Sequence, residues 1–277
     1  MMIPARTSVP RAASRAGKAL AAATLVGLAL GLSGCAPEPE PEPKPTPAET
    51  TTPTAPAPTT AKPTPKPTTP PAPPAFDKQA RSIDDPASIW VVTDKLRPLA
   101  PKEYEPADLR MPQGFVNTNG QPLRDEAATA VEGFLGAAAQ NGLNVQIISA
   151  YRPYGMQVEL YNSYIARDGQ AAADTYSARP GFSEHQTGLV VDLDDGSGCA
   201  LSECFGGTAA GKWLAEHAAE HGFIIRYPQG KQEVTGFIPE PWHFRYVGKE
   251  LAAEMKRTGV VTLEEFFGLP AAPGYAD

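Results

Sequence analysis

The sequence predicts an α+β domain carried behind a long non-globular N-terminal segment. Three observations lead there. Helical and strand patterns follow one another without a repeating β-α unit, which argues against a doubly wound sheet. The 31 prolines among 277 residues crowd before Phe76, and the remainder, on the order of 200 residues, is enough for one well-buried core. The formal net charge is −7 and the body holds no basic cluster, which argues against nucleic acid as a partner.

Residues 1–34 have the pattern of an export leader. Arg6, Arg11, Arg15 and Lys18 precede an apolar run from Ala19 to Leu32. That run is shorter than the roughly 20 apolar residues that span a bilayer comfortably, and a basic region followed by a short apolar one is a secretory signal. It ends in Leu32-Ser33-Gly34-Cys35, which resembles a bacterial lipobox, with Cys35 lipidated as the new N-terminus. Residues 35–75 are almost all Pro, Thr, Ala, Glu and Lys, a composition that cannot bury apolar surface and favours extended, polyproline-like chain. At about 3.1 Å per residue such a spacer reaches on the order of 100 Å. The expectation is a domain tethered by lipid to the outer face of a bacterial cell membrane and held out in the wall layer.

The folded domain, 76–277, opens with Ser88-Ile89-Trp90-Val91-Val92, which predicts a short strand. Leu123, Ala127, Ala130, Phe134 and Ala138 fall at helical spacing, with Gly142 at the expected C-terminal cap. Val145–Ser149 predicts a strand that delivers Tyr151 and Arg152 at its exit. A second helix runs from Tyr154 to Asp168 and stops at Gly169. Asp174–Phe182 reads as a loop, and Leu189–Leu193 as a buried strand. Cys199 and Cys204 are an even, closely spaced pair, most simply a local disulfide in an exported chain; a metal pair would need further thiol ligands, and none is near. A helix over Thr208–His221, strands over Phe223–Tyr227 and Trp242–Tyr246, and a helix over Lys249–Thr258 complete the chain, with Leu263–Phe267 packing its end.

The chemistry concentrates in Ser183-Glu184-His185-Gln186-Thr187-Gly188-Leu189-Val190-Val191-Asp192 and, downstream, Glu240-Pro241-Trp242-His243. An imidazole and a carboxylate are ordinary zinc ligands, and a glycine between them lets the chain turn so that both face one point. Two histidines and a carboxylate make a three-ligand catalytic zinc site, and a further glutamate can activate water. On an unbroken strand, positions 240 and 243 face opposite ways, so Pro241 must redirect the chain. A rival lies in His217-Ala218-Ala219-Glu220-His221, which has the H-x-x-E-H spacing of inverted zincins. Its helix stops at once at Gly222, and Trp213, His217 and His221 share one stripe, so a packing or surface role is expected there.

These motifs, with Ser149-Ala150-Tyr151-Arg152, Ser177–Gly181 and Trp242–Gly248, resemble the VanY-type D-alanyl-D-alanine carboxypeptidases over about 90–269. The resemblance implies a zinc peptidase of the hedgehog/DD-peptidase fold, with an antiparallel sheet flanked by helices. It implies that His185, Asp192 and His243 bind Zn2+, that Glu240 is the general base, and that Arg152 meets the oxyanion. Ser183, Tyr151 and Gln157 would contact the terminal D-residue. The implied substrates are peptidoglycan stem peptides ending in D-Ala-D-Ala, and a monomer is expected. Many relatives have glycine at the Ala150 position, histidine at the Phe182 position and alanine at the Val190 position. Ala150, Phe182 and the region of Gln157 are where the preference for a D,D or an L,D bond is expected to be written. Two alternatives stand beside this reading: an L,D-carboxypeptidase or endopeptidase of the same fold, and a non-catalytic wall-binding module that keeps zinc structurally.

Overall fold

The computed structural model describes residues 75–276, all within the compact unit Thr69–Asp277. The leader, Cys35 and the linker up to residue 74 lie outside the described residues. Among those described, no helix is long and apolar enough to cross a membrane.

A two-stranded ribbon, β1 (Leu109–Arg110) and β2 (Leu123–Arg124), leads into helix α1 (Asp125–Gln140) and strand β3 (Gln146–Ser149). Helices α2 (Tyr154–Asp168) and α3 (Gln170–Tyr176) follow, then strand β4 (Val190–Asp194) and helix α4 (Ala209–His217). Strand β5 (Phe223–Ile225), the single turn α5 (Gln232–Thr235), strand β6 (His243–Tyr246) and helices α6 (Lys249–Thr258) and α7 (Leu263–Phe267) close the domain. The main sheet has the order β3-β4-β6-β5, and every neighbouring pair is antiparallel.

Both faces of this sheet are buried, and they differ in chemistry. Side chains alternate across a strand, so Val191 and its partner Phe244 point one way while Asp192 and its partner His243 point the other. Helix α1 covers the apolar face, burying Ala127, Val131, Phe134, Leu135 and Ala138. Phe134 stacks on Phe223 at 5.6 Å and meets Phe244 edge-on at 5.7 Å. Burying a side chain of that size contributes about 1.5–3 kcal/mol by area. The opposite face carries Asp192, His243 and Arg245, all buried.

The chain segment over that polar face corrects one expectation. Ser88–Val92 is not a strand. Ile89, Trp90, Val91 and Val92 are buried as expected, but no neighbouring strand takes their backbone groups. Instead the carbonyls of Ile89 and Val91 accept from Arg245, and Val92 N–H donates to Ile83 O. Helix α3 corrects a second: residues 174–176 are helical and the loop begins at Ser177. Helix α4 is shorter than predicted, because the chain tightens to a 3-10 turn at Ala218–His221 before Gly222. Helices α2 and α6 match their predicted bounds. Cys199 and Cys204 lie side by side, with Cα atoms 5.5 Å apart.

Candidate metal and catalytic centre

Each side chain of the site is delivered by a short, well-determined piece of backbone. A 3-10 turn, Glu184–Thr187, ends at Gly188 with φ +67°. A Cβ at that glycine would also meet Arg124 and Leu109 side-chain atoms at 3.0 Å, so conformation and space both demand glycine. The turn presents His185, and β4 then presents Asp192 directly across from His243 on β6. Glu240–His243 is a tight turn closed by His243 N–H donating to Glu240 O at 3.1 Å, with Pro241 at the second position, where its fixed φ suits such turns. This is the redirection that the strand pattern required. It brings a Glu240 carboxylate oxygen within 3.2 Å of His243 Nδ1.

His185, Asp192 and His243 offer ligand atoms that all lie within 4.8 Å of one another, and all three are buried. Their hydrogen bonding tests whether a cation fits. His185 Nδ1 lies 2.7 Å from Ala150 O; a carbonyl only accepts, so Nδ1 carries the proton and Nε2 presents a lone pair. That lone pair faces Asp192 Oδ2 at 3.3 Å, acceptor against acceptor, an arrangement that a shared cation makes favourable. His243 Nδ1 lies 3.2 Å from Asp192 Oδ1. These separations are close to the edge of a tetrahedron built with zinc bonds of about 2.0–2.1 Å. The donor set of two imidazoles and a carboxylate therefore fits Zn2+.

The electrostatics favour a neutral His185 and a positive charge beside the carboxylates. Burial, aided by the Arg152 charge, holds His185 below the usual imidazole range, which keeps it neutral and able to ligate. Burial opposes charge on His243, yet Asp192, Glu184 and Glu240 outweigh it and raise His243 well above that range. Asp192 lies below the usual carboxylate range; burial works against this, but the two imidazoles prevail. Glu240 is pushed up, by burial first and by the Asp192 charge, which makes its carboxylate a better proton acceptor.

A cleft of about 300 Å³ opens over these groups, lined among others by Arg152, Ser183, Tyr164, Tyr227, Glu240 and Trp242. Arg152 is steered into it by Gln157 Oε1, which accepts from Nη1 at 2.8 Å, and by Ser149 Oγ, which accepts from Nη2 at 3.1 Å. The Arg152 backbone N–H also donates to His185 O, which ties the residue carrying the guanidinium to the turn that presents His185.

Three residues predicted from sequence stand elsewhere. Tyr151 is not in the cleft lining; its hydroxyl is buried, and burial, with the charges of Glu105 and Tyr104, pushes it above the usual phenol range. Gln157 is buried, and its amide is committed to Arg152, Ser177 and Ala178 O, so it holds Arg152 and does not reach the cleft. Phe182 packs edge-on against Tyr275 at 5.1 Å, away from the cleft lining. Ser183 does line it.

Among the cleft-lining residues that sequence reasoning passed over are Glu184, whose side chain is fully buried, and Leu201, half exposed inside the Cys199–Cys204 loop. A lone leucine between two cysteines carries no sequence signal. Glu184 had one, a carboxylate beside a ligand histidine.

The H-x-x-E-H rival does not assemble. The 3-10 turn separates its histidines: His217 stacks on Trp213 at 4.4 Å, and His221 stacks on Phe134 at 5.1 Å. Metal titration of the apo domain followed by atomic absorption should give one zinc per chain. His217→Ala/His221→Ala should keep that zinc, and Asp192→Ala should lose it at micromolar metal. Retention in Asp192→Ala would contradict the assignment.

The VanY family model, D-alanyl-D-alanine carboxypeptidase, matches residues 120–249. YodJ of Bacillus subtilis (strain 168) is 39% identical over 191 residues, covering 67% of this chain and 69% of YodJ. Among solved structures, the LdcB LD-carboxypeptidase aligns with TM-score 0.62 and 38% identity, over 66% of this chain and 87% of that one. A zinc complex of the vancomycin-resistance D,D-pentapeptidase VanY aligns with TM-score 0.54 and 30% identity, over 65% of this chain and 98% of that one. The chain belongs to the VanY family of D-alanyl-D-alanine carboxypeptidases, zinc-dependent hydrolases of the hedgehog/DD-peptidase fold.

Proposed function

We propose that His185 Nε2, Asp192 and His243 Nδ1 hold the zinc and that Glu240 and Arg152 carry out, beside it, removal of the terminal D-alanine from peptidoglycan stem peptides. The observation that carries this reading is a buried carboxylate, Glu240, set 3.2 Å from a ligand imidazole and facing the same cleft as a guanidinium, Arg152. A structural zinc site needs neither group.

When bound, zinc supplies Lewis acidity that brings the pKa of a coordinated water down to about 7 and polarises the scissile carbonyl. Glu240 takes a proton from the attacking water as its oxygen bonds to the carbonyl carbon. The C–N bond then breaks, and Glu240 returns the proton to the leaving amine. Arg152, its direction fixed by Gln157 and Ser149, faces the charge that grows on the carbonyl oxygen. Ser183 offers a hydroxyl to the terminal carboxylate. Tyr151 and Gln157 drop out as direct contacts, Gln157 becoming the residue that aims Arg152.

A second reading, L,D-carboxypeptidase action, draws support from the 38% identity to LdcB, higher than the 30% to the VanY zinc complex. With Phe182 turned toward Tyr275, bond preference falls to residues that face the cleft, Leu201 and Tyr164 among them. Incubating the zinc-loaded domain with a muramyl pentapeptide ending in D-Ala-D-Ala and with the matching tetrapeptide separates the two. The D,D reading predicts loss of one alanine from the pentapeptide, blocked by a chelator; cleavage of the tetrapeptide alone would move the assignment to L,D. Glu240→Gln should keep zinc and lower turnover by a factor of at least about 10²–10⁴, and activity surviving that change would contradict the mechanism.

For the N-terminal part, the basic leader, the apolar run and Cys35 support lipid anchoring outside the membrane, and the same exported setting favours the Cys199–Cys204 disulfide. A monomeric domain on a lipid tether is the proposed form. Cys35→Ala should release the protein from the membrane fraction; unchanged membrane association would count against the anchor.

A further inference from the structure

The polar face of the sheet holds a chain of four buried charges that the proposed reaction does not use. Glu184 Oε1 accepts from Arg226 Nε at 2.8 Å and from Arg245 Nη1 at 2.6 Å, and all three side chains are 0% exposed. Arg226 continues to Glu264 with two parallel bonds of 2.6 and 3.0 Å. Arg245 is anchored at its far end by the carbonyls of Val91 and Ile89. Buried ion pairs of this kind do no better for stability than apolar side chains of the same volume, because desolvation offsets the attraction. Their presence under a metal site calls for another account.

The second oxygen of Glu184 gives one. Glu184 Oε2 makes no hydrogen bond within the described residues, and neither does His243 Nε2; the two atoms face each other at 3.7 Å. With His243 Nδ1 set beside Asp192 and Glu240 and given to zinc, Nε2 is the nitrogen left to carry the proton. A carboxylate held in that direction is the outer partner that a ligating imidazole needs to fix its tautomer and ring plane. Arg226 and Arg245 both grip the other oxygen, leaving Oε2 free for the ring.

We propose that Glu184 is a positioning residue for the metal: held by Arg226 and Arg245, it presents its free oxygen as acceptor to the His243 Nε2–H and keeps Nδ1 open for zinc. The peptide segment that supplies the ligand His185 thus also orients the ligand on β6. This rests on the reading of His185, Asp192 and His243 as the zinc site. Glu264 lies in the same charge chain but on the far side of Arg226, so it is the control for a merely structural role.

The test is zinc affinity, measured by competition with a chromogenic chelator on the apo domain, for wild type, Glu184→Gln and Glu264→Gln. Glu184→Gln should bind zinc about 10- to 100-fold more weakly, and the visible spectrum of its cobalt form should shift. Glu264→Gln should lower the melting temperature, keep the wild-type cobalt spectrum and hold zinc within about threefold of wild type, well short of the loss expected for an outer-sphere partner. If Glu184→Gln does not fold, Glu184→Asp is read in its place; it keeps the charge for both arginines and withdraws the carboxylate from His243, so the same loss is expected. Wild-type affinity in the Glu184 variant, or equal losses in the Glu184 and Glu264 variants, overturns the proposal. Failure of the wild-type domain to bind zinc at all overturns the metal reading instead.

Discussion

The pairing of β4 with β6 is the constraint on which the site depends. Antiparallel register sets Asp192 directly opposite His243, and cross-strand neighbours have Cβ atoms about 4.5–5.5 Å apart. Two candidate ligands are thereby fixed by strand pairing, with no reliance on loop conformation. A one-residue slip would send Asp192 to the apolar face under Phe134 and bring Val191 to the metal. The register is protected against that slip by its own chemistry, since Phe244 has no alternative to the aromatic cluster around Phe134.

From this pair the rest of the centre is assembled by short, locally determined turns. The turn at Gly188 brings His185 from the strand's entrance, and the Pro241 turn brings Glu240 from the entrance of β6. Each approaches the metal pair from the N-terminal end of its own strand. The exit of β3, irregular between Ile147 and Ser149, supplies Arg152 from the third direction. Bulges re-aim side chains beside active sites in this way. The polar face would be costly to bury without compensation, and the carbonyls of the 76–104 segment together with Glu184 and Glu264 provide it.

Much of this was legible in the sequence for identifiable reasons. Helix α2 ends at a glycine and its bounds were readable; the ligands sit in motifs whose residue types have few other uses in that spacing. What escaped was decided by tertiary partners. Ser88–Val92 has strand composition, but a strand needs a neighbour, and here Arg245 took the carbonyls. Tyr151 and Gln157 carry the right functional groups, yet sequence cannot say that one points away and the other is consumed by Arg152. Glu184 stood in plain view beside His185. The role proposed for it depends on Arg226 and Arg245, more than 40 positions distant along the chain, and no local pattern connects them.

The account rests on one cation lying between His185, Asp192 and His243. Anomalous diffraction from crystals of the zinc-loaded domain, collected on both sides of the zinc edge, tests that directly. The account predicts a single strong peak in contact with His185 Nε2, Asp192 and His243 Nδ1, with Glu240 and Arg152 facing it across the cleft. A peak at His217 and His221, or none at the β4–β6 pair in protein that binds zinc in solution, would contradict it.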